Sequence, residues 1–389
     1  MKAMPGRCKA TKRWEKPLTD RPAPEPGGAT VDALAALRRL SRDIGRDRTL
    51  TQAAGGNTSL KRDGILWVKA SGTWLAEAET RDIFVPVRIA PLLEALRTGD
   101  ARAEKATDFV ASELSDSALR PSIETAVHAA MPQPVVLHVH CVNTIAQAVL
   151  DDGEARIAQR LTEAGLAGRF AYIPYCRPGV PLARQIARIA SERIDIVILG
   201  NHGLIVAGTD IADAARRLDA VAAALAITPR PTLGTTDTAA LSELAAGTPY
   251  RLPGDPTAHH LARDPDAFRV ACAGPLYPDH VIFLGETIAT IAPKEAAMAK
   301  FLASWEAAPA NAPSLLLVPG IGVLVHERLT AGGEALVGCL VDVAARIPAD
   351  AALNPLTADD IHHLTHWEAE TYRQTLDRPG AAAPGSGAA

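Results

Sequence analysis

Apolar residues along the chain follow two rhythms. Behind Thr30 and Val31, the residues Leu34, Leu37, Leu40 and Ile44 recur every three or four positions, which predicts a helix with Thr30 as its N-cap. Contiguous apolar runs, largely β-branched, at 65–69, 83–87, 134–140, 195–200 and 204–208 predict strands buried on both faces. Alanine-rich stretches at 90–96, 123–131 and 210–226 predict helices, the second opened by Pro121-Ser122. Small-residue turns at 55–59 and 71–73 flank the 65–69 strand, and Asn201-His202-Gly203 separates the last two strands. Helices alternating with buried strands predict the α/β class.

Past a stretch of scattered Pro, Gly and Thr near 228–256, the rhythm changes. Strands are expected at 281–284, 288–291, 315–318 and 322–325, with helices at 333–345 and 358–376 and another opening at His259-His260. Gly320-Ile321-Gly322 lacks the third glycine and following helix of a dinucleotide fingerprint, so it reads as a turn between strands. The expected organisation is a flexible tail over 1–29, an α/β domain over 30–235, a second, smaller mixed α/β domain over 250–376 and a disordered tail over 377–389.

Composition narrows the classes. With 40 Lys+Arg against 44 Asp+Glu in 389 residues and 48% hydrophobic residues, the chain is neither disordered nor charged in a way that favours nucleic acid or an acidic membrane surface. No apolar run reaches the roughly 18–20 residues of a membrane span, and the basic N-terminal residues lack the apolar core of a secretory signal. Cys8, Cys141, Cys176, Cys272 and Cys339 are scattered without a CxxC, which argues against a disulfide scaffold or a zinc ribbon. A soluble, cytoplasmic protein is expected.

Histidines mark the candidate chemistry. His138 and His140 lie two apart on one predicted strand and so share a face, and His202 sits on a glycine-flanked turn. Three converging imidazoles suit a divalent transition ion, most simply zinc, although His-x-His on a strand is also common in protein cores. Glu124 and His128 share a helical face just before that strand, where a carboxylate can serve as ligand, general base or solvated side chain. The turns Gly55-Gly56-Asn57-Thr58-Ser59 and Ser71-Gly72-Thr73 offer N–H groups and hydroxyls to an anion, with Lys61 and Lys69 adding charge. His362 and His366, with Glu368 and Glu370 nearby, read as a solvated helix face, and Asp279-His280 as a turn before a strand.

In order along the chain, GGNTSLK, SGTWL, PSIETAVHAAMP, VVLHVHCVNTIA and LGNHGLIVAG resemble the class II aldolase/adducin family over roughly residues 30–230. GPLYPDHVIFLG is similar to the longer bacterial aldolases with a C-terminal extension. The resemblance implies a three-layer α/β/α sandwich and a zinc ion held by His138, His140 and His202, with Glu124 as fourth ligand and as acid/base. Gly56, Asn57, Ser71, Gly72 and Ser122 match positions that bind the substrate's phosphate. Ile123 stands where several sugar-phosphate aldolases carry a second serine, which leaves open an unphosphorylated substrate. Tyr175 resembles a proton-donating tyrosine of some members.

The implied activity is a zinc-dependent carbon–carbon lyase of carbohydrate metabolism. It would cleave a ketose or ketose phosphate reversibly, through an enediolate, to a dihydroxyacetone phosphate-like ketone and a small aldehyde. The same scaffold supports a 4-epimerase, a 3-keto-acid decarboxylase or a non-catalytic adducin-like interaction module. A small-molecule sugar partner, no nucleic acid or membrane, and a homo-oligomer, tetrameric by resemblance, are expected.

Overall fold

The computed structural model describes residues 28–231 and 235–377. The two expected tails lie outside the described residues, apart from Gly28, Ala29 and Asp377, and Cys8 lies outside them too.

Seven strands form the main sheet: β1 (Asn57–Arg62), β2 (Ile65–Lys69), β3 (Phe84–Arg88), β4 (Val135–Val139), β5 (Phe170–Ile173), β6 (Ile196–Leu199) and β7 (Gly203–Gly208). Their order is β3-β2-β1-β4-β7-β6-β5, and every neighbouring pair is antiparallel except β5 with β6. Continuous apolar runs in a largely antiparallel sheet require cover on both faces, and helices supply it. Val135, Leu137 and Val139 pack with the helices Gly28–Arg46 and Ile211–Ala224, while Val136 packs on the opposite face with Ile89–Thr98, Thr125–Ala130 and Val180–Ile189. The result is a mixed α/β fold with one sheet between two helical layers. Each fully buried Val or Leu contributes about 1.5–3 kcal/mol over its exposed state. A one-residue slip of β4 would exchange Leu137 with His138 between faces, so the same burial that stabilises the sheet sets where the histidine points.

Local expectations change in several places. Asn57, Thr58 and Ser59 belong to β1 rather than to a turn, because Asn57–Leu60 pair with β4 on one side and Ser59–Arg62 with β2 on the other. The first helix already includes Gly28 and Ala29, so Thr30 is a buried helical residue instead of an N-cap, and Val31 is 55% exposed. The helix expected over 123–131 spans only Thr125–Ala130, with Glu124 at its N-cap.

The second, smaller sheet is formed by β8 (Tyr250–Arg251), β9 (Ala289–Thr290), β10 (Leu315–Val318) and β11 (Gly322–His326) in the order β8-β11-β10-β9. Gly320, at φ 74°, turns the β10–β11 hairpin as expected. Residues expected as a strand at 281–284 instead form a π-helix, His280–Leu284, a run of apolar residues that period alone could not assign. The long helix expected over 358–376 breaks at His366-Trp367 into Ala358–Thr365 and Glu368–Leu376.

The two sheets meet over a shared core. Ala53, Val142, Ile145, Ala146, Val149 and Leu150 lie in one buried cluster with Leu315, Leu317, Val323, Val325 and the apolar face of the helix Ala331–Ala344. Backbone hydrogen bonds from Asn354 to Val149 (2.8 Å) and from Asp151 to Ala352 (3.2 Å) reinforce it.

Candidate metal centre

β4 ends at Val139, so His138 sits on its last turn of pleat and His140 one residue beyond, both on the face away from Leu137. Asn57 on β1 is paired directly opposite His138. The close approach of the preceding loop depends on Gly56, whose φ is 64° and whose added Cβ would lie 2.8 Å from the His138 carbonyl oxygen. His202 is delivered by the β6–β7 turn. Asn201 holds that turn at φ 52° and donates its side-chain amide to the carbonyls of Leu276 (3.0 Å) and Asn354 (2.6 Å).

These supports bring the three imidazoles together, with ring centroids 4.8–5.1 Å apart and all three side chains buried. His138 Nδ1 faces the Leu204 carbonyl at 3.2 Å and His140 Nδ1 faces Asp279 Oδ2 at 2.8 Å. Both acceptors demand a proton on Nδ1, which leaves the two Nε2 lone pairs facing one another at 3.2 Å. Burial opposes a proton between them, since it lowers the pKa of His138. Facing lone pairs repel, and His138, His140 and His202 form a group that could hold a divalent cation, which would resolve the conflict.

Glu124 closes the arrangement from the N-cap of its helix. Its Oε2 accepts from Asn57 Nδ2 (2.9 Å) and lies 3.3 Å from His138 Nε2, while Oε1 is buried, 3.8 Å from His202 Nε2, and accepts no hydrogen bond. Burial works to raise its pKa, and the amide that Asn57 donates to Oε2 works against that by favouring the carboxylate. Behind it, His128 bonds to Asn57 Oδ1 and to Ser59 Oγ (2.7 Å), which orients the amide toward Glu124. A carboxylate with one fixed and one free oxygen beside three imidazoles can ligate an ion or carry a proton.

Gly56, Asn57, Ser71, Gly72, Ser122, Glu124, His140 and His202 line one cleft of about 400 Å³, measured to include the solvent at its mouth. His138 lies fully buried against it, and Ile123 presents an apolar side chain to it. Lys69 also lines it, yet its ammonium donates to the carbonyls of Ala54 (2.8 Å) and Gly56 (3.0 Å), bracing the glycine loop from within. Burial, helped by the charge of Arg373, lowers its pKa to about 7. Lys61 is turned to the carbonyls of Met131 and Gln133 and is not part of the lining. Tyr175 is outside the lining as well. It packs with Val281, Ile282, Leu356 and Leu364, and its buried hydroxyl has no hydrogen-bond partner.

Three charged lining residues were not anticipated: Asp279, Glu370 and Arg373, all from the second region. The sequence places Asp279 in a turn before a strand and Glu370 on a solvated face. Instead Arg373 Nη2 donates to Asp279 Oδ1 at 2.7 Å, and Glu370 is 2% exposed, 3.4 Å from Arg373 Nη1. His362, His366 and Glu368 do remain exposed. The one local signal for Asp279 was a carboxylate between proline and histidine in an otherwise apolar run, Leu276 to Leu284.

Residues 35–228 match the class II aldolase and adducin N-terminal domain. This part of the chain belongs to the class II aldolase and adducin family. Among curated proteins, an uncharacterised oxidoreductase, YuxG, of Bacillus subtilis is 30% identical over 177 residues, covering 42% of this chain and 25% of that protein. The chain thus spans about a quarter of the length of that relative. The methylthioribulose-1-phosphate dehydratase of an Enterobacter species is 29% identical over 184 residues, covering 43% of this chain and 79% of that enzyme. Among solved structures, the N-terminal class II aldolase domain of a conserved protein from Thermoplasma acidophilum is 26% identical, with a TM-score of 0.41, covering 56% of this chain and 98% of that one. No helix among the described residues is long and apolar enough to cross a membrane.

Proposed function

We propose that this protein is a metal-dependent lyase that cleaves a ketose or ketose phosphate by a reversible retro-aldol reaction, giving a dihydroxyacetone phosphate-like ketone and a small aldehyde. The observation that carries this is the free Oε1 of Glu124, held beside His138 and His202 and next to a cradle of small residues in the same cleft. A divalent ion on His138, His140 and His202, most simply zinc for an all-imidazole donor set, supplies Lewis-acid stabilisation of negative charge on adjacent substrate oxygens.

The chain's own residues supply the rest. Asn57 fixes Glu124 Oε2, so Oε1 is the atom that gives or takes the proton on the carbon beside the carbonyl. With Oε1 free of hydrogen bonds, the carboxylate is placed to act as base in the synthetic direction. Gly56, Asn57, Ser71, Gly72 and Ser122 receive the anionic end of the substrate, and the Lys69 contacts hold the Gly56 loop in shape. Tyr175 lies outside the lining of its own chain, so no proton is routed through it within one subunit. The partner is a sugar or sugar phosphate, met in the cytoplasm by a homo-oligomer.

A second outcome has a specific observation behind it, the likeness to a dehydratase of a ribulose 1-phosphate. Proton removal by Glu124 beside the carbonyl would then expel water rather than an aldehyde. One assay separates the two: metal-loaded protein is incubated with ketoses and ketose 1-phosphates, and products are followed by NMR in deuterated buffer. Aldehyde release lost in Glu124→Gln supports the aldolase, and water loss without aldehyde supports the dehydratase. Wild-type turnover retained in Glu124→Ala rejects both.

A further inference from the structure

The contact that reaches the histidines from the second region is built with more care than docking alone requires. Asp279 is 2% exposed, and a buried carboxylate is costly unless its oxygens are satisfied. Arg373 is buried beside it and has the planar fork that could take both oxygens at once. It takes only one. Oδ1 accepts from Arg373 Nη2 at 2.7 Å, and Oδ2 is turned to His140 Nδ1 at 2.8 Å. Gly55 makes room for that second bond: a Cβ there would lie 2.8 Å from Asp279 Oδ2 and 2.8 Å from His140 Nδ1.

Resting on the assignment of the three histidines as metal ligands, we propose that Asp279, braced by Arg373, is a positioning residue for the metal centre. By accepting the Nδ1 proton of His140, it fixes the tautomer and the plane of the imidazole that present Nε2 to the ion. His138 receives the same service from a backbone carbonyl of its own sheet, that of Leu204. His202 has no such support, since its Nδ1 is buried without a partner. The orientation of His140 therefore depends on a residue 139 positions later in the chain, and the second region completes the outer shell of a centre whose ligands all lie in the first.

The test uses the full chain loaded with Co²⁺, whose d–d absorption reports ligand geometry. Cobalt affinity is read by competition with a chromogenic chelator. Asp279→Ala should bind Co²⁺ about 10–100-fold more weakly, with a displaced d–d band and an unchanged far-ultraviolet circular dichroism spectrum. Asp279→Asn keeps the shape and an acceptor oxygen but not the charge, and should lose an intermediate factor, about threefold to tenfold. Affinity within twofold of wild type and an unshifted band in both variants overturn the proposal. Should the alanine variant fail to fold, the same result in Asp279→Asn alone overturns it. A wild-type chain that takes up no Co²⁺ or Zn²⁺ overturns the metal assignment itself, a different failure read on a different sample.

Discussion

The two regions of this molecule contribute to the cleft in different ways. The seven-stranded region places its functional residues by strand register and tight turns, so that His138 and Asn57 are set by neighbours a few ångströms away in the sheet. The second region places Asp279 at the N-cap of a π-helix and Glu370 and Arg373 on the helix Glu368–Leu376, and the two helices contact one another beside the cleft. Chemistry in the first region is therefore local in construction, and its support from the second is long-range. The family domain holds the three histidines, but in this protein it does not hold everything that touches them.

That contrast can be tested from its strongest consequence downward. Removing the metal with a chelator, or replacing His138 by Ala, should abolish turnover outright. Restoring Zn²⁺ should rescue the chelated wild type and not the variant, measured as product formation with elemental analysis alongside. Next, Glu124→Gln should lower kcat by about 10²–10⁴ while metal content stays near that of wild type, as expected for a general acid/base. Equal loss of metal and activity would move Glu124 from proton carrier to ligand. Arg373→Met should cost about 3–5 kcal/mol of unfolding free energy, because it leaves the Asp279 carboxylate buried with only His140. A denaturant midpoint unchanged from wild type would show that the second region docks without this pair.

Smaller effects sharpen the boundary between the regions. Asn201→Ala removes two donated hydrogen bonds and the side chain best suited to its left-handed backbone, for about 1–3 kcal/mol by thermal melting. The smallest concerns His280, whose pKa burial lowers from 6.5 to about 4 while its Nδ1 accepts from the Leu276 N–H at 3.4 Å. The unfolded chain then takes up a proton below pH 6.5 that the folded chain refuses until about pH 4. Its contribution to stability is whole above pH 6.5 and falls by about 1 kcal/mol per pH unit between those values. Urea midpoints at pH 7.5 and 5.5 should therefore converge more closely in His280→Gln than in wild type.

How much of this was readable beforehand divides along the same line. Strand alternation put His138 and His140 on one face, and the glycine beside His202 marked a turn able to reach them. Those signals act over two or three residues. Asp279 and His140 are 139 positions apart, and no local period records such a pairing. Glu370 misled for a different reason. Reading 358–376 as one helix carried the polar face of His362 and His366 through to Glu370. The break at Trp367 re-aims the next turns, so Glu370 and Arg373, three residues apart, face inward. Val281 to Leu284 shows the limit of composition, because four apolar residues fit a strand, a helix or the π-helix that forms.

Asn201 has a last consequence. Its amide fastens the turn that carries His202 to two carbonyls of the second region, Leu276 and Asn354, while Asp279 fastens His140 to the same body. Two of the three imidazoles are thus tied to whether that body is seated. Reciprocity then holds between the two events: whatever factor seating adds to the affinity for an ion, the ion adds to the equilibrium for seating. A bound metal would act as a latch as well as a reagent, and its departure would loosen the far side of the molecule.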